Sequence, residues 1–484
     1  MSLIPKIIHQ LWIGPKPPPT KFMKTWKDKH EALGYEYIFW NEKELIKRGF
    51  VSQLQNKINV MKEWNGKADI LRWEILYKYG GIFVDADSIC IEPFCDLLKL
   101  NKAFAGYENE HVRGAGWASD KYKDVLAPTH PLIATGTMAF PPKHLLPKLA
   151  IEWIKKNEIN FSIIKQRAWR TVGPGLLTRI YFSRKWNDIT ILPSFYFLPI
   201  HVCGLEYKQH GRVFAYQEWG STKQNYDNMN NISLPSQFLK PNKSVSILMP
   251  CYNSKALYLK ETLESIKNQL GYVNINLVCV NDGSDPLHCS ILKKMLKNFS
   301  DTTRWINVLY HENDKNMGIG PTLHKGVLLC PDEIIFRMDS DDIMLPERIV
   351  KQLEFMEKTP DCALCGGQVQ FLSNNTLQNK TNHPSLSLEE YKKKKKHWLM
   401  NHPTFCFRKS KIIEVGNYNN DTKEMVEDLE LILKVLKKYK KIYNLQEVLL
   451  YYRLHSGQLT FNGGKEGSRH WNNIRNKLIK DIIG

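Results

Sequence analysis

Two apolar patterns alternate along this chain. In the first half KIIHQLW (6–12), YEYIFW (35–40) and IFV (82–84) are short runs rich in β-branched and aromatic residues, which predicts strands. Between the last two, GKADILRWEILYKY (66–79) puts Ala68, Leu71, Ile75 and Tyr79 at helical spacing, which predicts an amphipathic helix. Gly80 and Gly81 follow it and can end it with a left-handed cap. In the second half SVSILMP (244–250), INLVCV (275–280), WINVLY (305–310) and EIIFRM (333–338) are almost wholly apolar, which suits strands covered on both faces. Leu259, Leu263, Ile266 and Leu270 predict a helix between the first two of these. Ile349, Leu353 and Met356 predict another, with Pro346 just before it, where a helix start tolerates proline. Strand and helix alternating in this way predict Rossmann-like α/β layers.

One stretch breaks the pattern. Residues 221–243 are polar, Asn-rich and carry two prolines, the signature of a linker. The expected organisation is a domain over 1–234, a linker over 235–243 and a domain over 244–484. A length of 484 residues suits this, since domains average about 150 residues.

Composition narrows the function classes. Hydrophobic residues make up 43%, which excludes a mostly disordered chain. No apolar run approaches the roughly 18–20 residues that span a bilayer. The N-terminal MSLIPKIIHQLWIG is broken by Pro5, Lys6 and His9 and reads neither as a signal peptide nor as an anchor, so a cytoplasmic protein is expected. Ten cysteines, mostly within apolar segments, read as buried reduced thiols. The formal charge of +19 favours anionic partners: nucleotide phosphates, nucleic acid or an acidic membrane surface. Its densest run, Lys392 to Lys396, reads as a solvated face, with peripheral contact to anionic lipid headgroups as the alternative. Zinc-finger, RRM and KH spacings are absent, and no nucleic-acid partner is expected.

The candidate chemistry lies in two acidic clusters that follow apolar strands: Asp85-Ala86-Asp87 and Asp339-Ser340-Asp341-Asp342. Ligands of open α/β sheets gather at the carboxyl ends of strands. Two carboxylates there can hold Mn²⁺ or Mg²⁺, which takes one or two protein carboxylates and completes its shell with water and phosphate. A bare DxD is a weak signal, because acidic turns and helix caps produce the same letters.

The surrounding strings add specificity. NGKADILRWEILYKYGGIFVDAD (65–87), with IPKIIHQLWIG at the start, resembles the DxD sugar-transferases of glycosyltransferase family 32, relatives of an initiating mannosyltransferase. That resemblance implies a GT-A fold, a nucleotide-sugar donor and a retaining reaction over most of residues 1–220. It implies that Asp69 and Arg72, three apart on one helical face, grip the sugar and its phosphates, and that Asp85 and Asp87 serve the donor and the metal. Thr171, Gly173 and Pro174 resemble the family's downstream TGP stretch. One departure stands out: the family's closing histidine is missing from YQEWGST (216–222), and Glu218 falls near its place as a substitute hard ligand.

In the second half four strings occur in order: SILMPCYNS, VCVNDGSD, ENDKNMGIGPTLHKGV and FRMDSDDIMLPERI. They resemble glycosyltransferase family 2, inverting GT-A enzymes, and NHPTFCFRK (401–409), MVEDLELILKV (425–435) and YYRLHSGQLT (451–460) extend the likeness. The resemblance implies that Pro250, Tyr252, Asp282, Arg337 and Asp339 bind the nucleotide sugar. Asp339, Asp341 and His455 are implied at the metal, with Asp342 as a cap for the following helix. In the Glu427-Asp428 pair Asp428 is the implied general base, and His402 supports the acceptor pocket.

The expectation is therefore α/β: two GT-A, Rossmann-like nucleotide-diphospho-sugar transferase domains in tandem. The expected enzyme is a bifunctional, metal-dependent glycosyltransferase moving sugars from nucleotide-sugar donors, UDP-linked by preference, to a growing glycan, polysaccharide or glycolipid. The alternative leaves only the second domain catalytic and the first a degenerate binding module. A basic nucleic-acid-binding protein would need none of these strings, and a glycosidase has no support in their spacing.

Overall fold

The computed structural model describes residues 3–110, 130–159, 167–232, 243–271, 273–394, 397–420, 426–455 and 465–484. The chain divides into two compact units, one of Met1–Tyr207 with Arg212–Phe238, the other of Lys208–Gly211 with Leu239–Gly484. Apart from Lys243 the expected linker lies outside the described residues, as do part of the lysine run, Met425 and residues 456–460.

The first unit is built on a six-stranded sheet. Its order is Glu36–Trp40, Ile7–Leu11, Gly81–Val84, Ile133–Phe140, Ala103–Tyr107, Ile189–Leu192. The first three strands run parallel, and Ile133–Phe140 is antiparallel to its neighbours on both sides. Gly81–Val84 is buried at every position, as its apolar run requires.

The helix expected over 66–79 runs Trp64–Tyr79, but it is not amphipathic. Every residue from Asp69 to Leu76 is buried, so the helix passes through the core instead of lying on it. Its polar members are therefore paired internally. Glu74 accepts from Ser52 Oγ and from the Gln53 N–H (2.9 Å), and Trp73 Nε1 donates to the Val172 carbonyl at 2.7 Å. A buried polar group left unpaired costs about 1–3 kcal/mol, so these bonds are a condition of the packing. Gly80, at φ +63°, ends the helix and turns the chain directly into Gly81–Val84. Asp85 is thus delivered to the carboxyl end of a central strand.

The second unit carries a ten-stranded sheet. Ile306–Glu312, Asn274–Asn281, Ser244–Cys251 and Ile334–Arg337 lie side by side and parallel. Cys406–Arg408 then pairs antiparallel, and Leu364–Ser373, Lys441–Leu454 and Ile343–Met344 complete the main path. Helices Ala256–Lys267, Pro286–Thr302, Ile319–Leu329 and Arg348–Lys358 connect or flank these strands. Leu270 falls beyond the end of the first of them, outside the helix expected for it, whereas Pro346 stands just before the last, ahead of its Glu347 N-cap. Both units are α/β, and each brings its acidic cluster to the carboxyl end of a buried strand.

Among the described residues, no helix is long and apolar enough to cross a membrane. Eight of the ten cysteines are buried, Cys95 is half-buried and Cys203 is exposed.

Candidate functional sites

In the first unit Arg72 organises the site. Its Nη2 donates to Asp85 Oδ1 at 2.6 Å, its Nη1 donates to the Thr135 carbonyl at 2.5 Å and lies 3.3 Å from Asp69 Oδ1. The guanidinium sits over the Phe83 ring, 4.6 Å from its centroid. Asp69 is 7% exposed, and burial pushes its carboxyl up to about 6, with Arg72 opposing the rise and Asp85 adding to it. Gly173 makes this packing possible: a Cβ there would stand 2.3 Å from Asp69 Oδ2. The Thr171–Pro174 stretch and Asp69 therefore meet in space.

Asp85 and Asp87 share the turn after Gly81–Val84. Gln10 Nε2 donates to the Asp85 carbonyl at 3.1 Å. Asp87 is buried, accepting from Gln217 Nε2 (2.6 Å) and the Gly220 N–H (2.8 Å). Burial, and then the charge of Asp85, pushes the Asp87 carboxyl up to about 7. Glu218 does not join this pair as the ligand expected of it. Its oxygens are taken by Tyr216 Oη (2.7 Å), Lys223 Nζ (2.9 Å) and Asn225 Nδ2 (3.1 Å), so its charge is neutralised locally.

In the second unit the expected residues converge at the carboxyl ends of three adjacent parallel strands. Arg337, 3% exposed, donates from Nη1 to Asp339 Oδ2. Asp339 is held above the usual carboxylate range by burial, against the pull of Arg337 and with the push of Asp341. His455 Nε2 lies 2.9 Å from Asp341 Oδ2. Asp342 is not the helix cap expected of it. It is fully buried and accepts the Arg453 N–H at 2.9 Å, while its Oδ2 has no hydrogen-bond partner. Arg453 also donates from Nε to the Asp341 carbonyl at 2.8 Å and lies over Tyr258, so the end of Lys441–Leu454 clamps the acidic turn.

Two of the expected nucleotide contacts take a different place. Pro250 is buried within Ser244–Cys251, opposite Val280. Asp282 is buried and spends its carboxylate on Asn313 Nδ2 and the N–H groups of Met317 and Gly318, each at 2.9 Å, fixing the loop ahead of Ile319–Leu329. Tyr252 is half exposed beyond its strand and free to meet a ligand face.

Glu427 and Asp428 open the helix Glu427–Tyr439 and differ sharply. Glu427 is buried, with Oε1 3.5 Å from His402 Nδ1 and Oε2 without a hydrogen-bond partner. Burial, then Asp428, pushes it up to about 8, so it is mostly neutral at pH 7. Asp428 is partly exposed, takes the Leu429 N–H at 2.7 Å, and is raised chiefly by burial, with Arg475 and Arg337 opposing. His402 is kept neutral by burial and by Arg337, and its Nε2 is 3.0 Å from Tyr418 Oη. Tyr418, Arg453 and Arg475 escaped the sequence reading: a tyrosine in a loop and arginines in a strand and a terminal helix carry no local signal. The same holds for Gln10, Thr135 and Gln217 in the first unit.

The residues present fit a divalent cation. Burial, with the charge of Asp341 adding to it, holds the carboxyls of Asp339 and Asp342 above their ordinary value, and Asp342 Oδ2 is an orphaned buried acceptor. Asp85 and Asp87 are a second acidic pair. Among the described residues, no three or more His, Cys, Asp or Glu side chains are grouped so as to hold a metal ion by themselves.

α/β units with acidic turns at the carboxyl ends of buried strands, one of them paired with a buried arginine, have the architecture of nucleotide-sugar transferases. Residues 246–416 match the family model of glycosyl transferase family 2, and residues 19–105 match that of the glycosyltransferase sugar-binding region containing DXD motif. The chain belongs to the family 2 glycosyltransferases. It is 30% identical over 237 residues to the amylovoran biosynthesis glycosyltransferase AmsE of Erwinia amylovora, across 48% of this chain and 82% of that one. It is 29% identical over 224 residues to an Escherichia coli UDP-Gal:alpha-D-GlcNAc-diphosphoundecaprenol beta-1,3-galactosyltransferase, across 45% and 77%. An uncharacterized Haemophilus influenzae glycosyltransferase is 32% identical over 173 residues, and there the chain spans 63% of the relative's length. Among solved structures, S. aureus TarS 1-349 in complex with UDP-GlcNAc aligns at 17% identity and a TM-score of 0.39, over 50% of this chain and 67% of that one.

Proposed function

We propose that the chain carries two metal-dependent transferase sites that extend one glycan or glycolipid from nucleotide-sugar donors, the second inverting and the first, of the family 32 kind, retaining. The observation that carries the reading is the division of labour in the Glu427–Asp428 pair beside Arg337 and Asp339. A UDP-sugar donor and a lipid-diphosphate-linked or polysaccharide acceptor are supported by the relatives, one a UDP-Gal:alpha-D-GlcNAc-diphosphoundecaprenol galactosyltransferase and one a glycosyltransferase of amylovoran biosynthesis.

In the second site Asp428 takes the proton of the acceptor hydroxyl as that oxygen attacks the anomeric carbon from the face opposite the leaving diphosphate. Glu427, neutral and buried, shapes the base without adding a second charge. Arg337 holds Asp339 against the donor side. Tyr252 is placed to cover a base ring, and Asp282 acts through the loop it fixes. Mn²⁺ or Mg²⁺ held by Asp339 and Asp341, with His455 beside them, would neutralise charge on the departing diphosphate. In the first site Arg72 and Asp69 face the sugar and phosphates, and Asp85 with Asp87 are the carboxylates for the cation.

Asp428→Asn tests the assignment. A general base contributes about 10²–10⁴-fold, so transfer by the second site should fall by that factor while UDP binding, read by calorimetry, stays within about twofold. Full activity in this variant would remove Asp428 from the mechanism.

A further inference from the structure

We propose that Cys203, His201 and Glu108 form a modification site in the first unit, at which a hydroperoxide oxidises the Cys203 thiolate to a sulfenic acid. Ile200 and Glu206 pair across a tight turn, closed by the His201 N–H on the Leu205 carbonyl (2.9 Å) and the Gly204 N–H on the His201 carbonyl (2.8 Å). Gly204 takes φ +86°, a left-handed value that glycine adopts without strain, which lets the turn close over residues 202–204.

This turn sets Cys203 Sγ 2.8 Å from His201 Nδ1, and His201 Nε2 3.5 Å from Glu108 Oε1. The sulfur is at the surface, whereas the imidazole is 8% exposed and packs edge-on to Trp219 with ring centroids 5.3 Å apart. Nucleophile, base and orienting carboxylate are thus linked in series, with the imidazole the most buried of the three, the arrangement that activates a thiol. The electrostatics agree. The Leu205 N–H and then His201 hold the thiol below its ordinary value, and Glu108 leads in raising the imidazole above its own. The Cys203 N–H points to the same Nδ1 at 3.3 Å, and in the thiolate–imidazolium pair that both changes favour, Nδ1 would instead donate to the sulfur. Of the ten cysteines Cys203 is the exposed one, and burial raises the thiols of Cys90 and Cys330.

The chemistry balances with the peroxide as sole oxidant. The thiolate attacks one peroxide oxygen, the S–O bond forms as the O–O bond breaks, and sulfur is oxidised by two electrons while the peroxide is reduced. The departing hydroxide takes the His201 proton and leaves as water. The product loses the anion that faced His201. Trp219, edge-on to that ring, directly precedes Gly220, whose N–H holds Asp87, so a chain of contacts leads from the modified residue to the acidic turn.

The experiment uses the full chain. Hydrogen peroxide is applied in timed pulses with dimedone as the trap, and labelled peptides are mapped by mass. In parallel, Cys203 alkylation by iodoacetamide is followed from pH 5.5 to 9.5 in wild type, His201→Gln and Glu108→Gln. Dimedone should mark Cys203 ahead of Cys95, and the wild-type alkylation midpoint should fall below the roughly 8.5 of free cysteine. His201→Gln should slow alkylation at pH 6.5 by about threefold or more, the net of a one-unit rise in thiol pKa and the better nucleophile it makes. Glu108→Gln should act in the same direction and less. A wild-type midpoint at or above that of free cysteine overturns the proposal by itself, whatever the variants do. Equal labelling of Cys95 and Cys203 overturns it too.

Discussion

Replacing Glu427 by Gln should separate the stability of the second unit from its chemistry. The side chain is 7% exposed and titrates at about 8, against 4.5 when free in water. Between those values the folded chain binds a proton that the unfolded chain has released. Stability therefore falls as pH rises from about 4.5 and levels off above 8, the reverse of a salt-bridged carboxylate. At about 1.4 kcal/mol per pH unit the penalty is on the order of 2 kcal/mol at pH 6 and 5 kcal/mol at pH 9. Gln copies the neutral form and does not titrate. The stability of Glu427→Gln relative to wild type should therefore grow by about 2–3 kcal/mol between pH 6 and 9, or about 1 M in urea midpoint. Urea unfolding followed at a series of pH values measures this directly. Turnover at pH 7 should stay within about tenfold of wild type, because the neutral form already dominates there. A stability difference that is flat from pH 6 to 9 would mean that Glu427 is ionised in the folded chain, and the division of labour with Asp428 would fall with it.

Two further outcomes follow from the same geometry. Gly283 sits at φ +65°, and a Cβ there would come within 2.4–2.7 Å of the Lys315 and Asn316 backbone, so Gly283→Ala should lose at least about 2 kcal/mol in urea unfolding. Arg475 opposes the rise of Asp428, so Arg475→Gln should move the acid limb of the kcat/KM profile to higher pH, while Arg475→Lys restores part of it.

The strands were legible because a buried parallel strand has to be apolar throughout, and IFV and SVSILMP leave no other reading. The helix Trp64–Tyr79 was legible in position but not in character. Its 3.6-residue period marks a helix, whereas burial of Asp69, Arg72 and Glu74 depends on partners as distant as Thr135 and Ser52, which no local pattern carries. Site residues followed the same division. Asp85 and Asp339 announce themselves by standing at the ends of apolar runs, whereas Asp428 was marked only by the likeness of MVEDLELILKV to family 2. Asp282 stands at such an end too, yet its oxygens are turned to the 313–318 loop, because three nearby donors outcompete solvent for them. Asp342 and Glu218 differ for a related reason: each carboxylate was taken up by a neighbour, Arg453 and Lys223, that the sequence places far away or leaves unmarked.

The central claim is that two distinct transferase sites share this chain. It is tested most directly by nucleotide release from a panel of UDP- and GDP-sugars, with and without Mn²⁺. Wild type would be run beside Asp85→Asn/Asp87→Asn and Asp339→Asn/Asp341→Asn. The account predicts two metal-dependent donor profiles, each lost in one double variant and retained in the other. A single profile that survives Asp85→Asn/Asp87→Asn unchanged, with no second activity on any donor or acceptor supplied, would contradict it and leave the first unit a binding module.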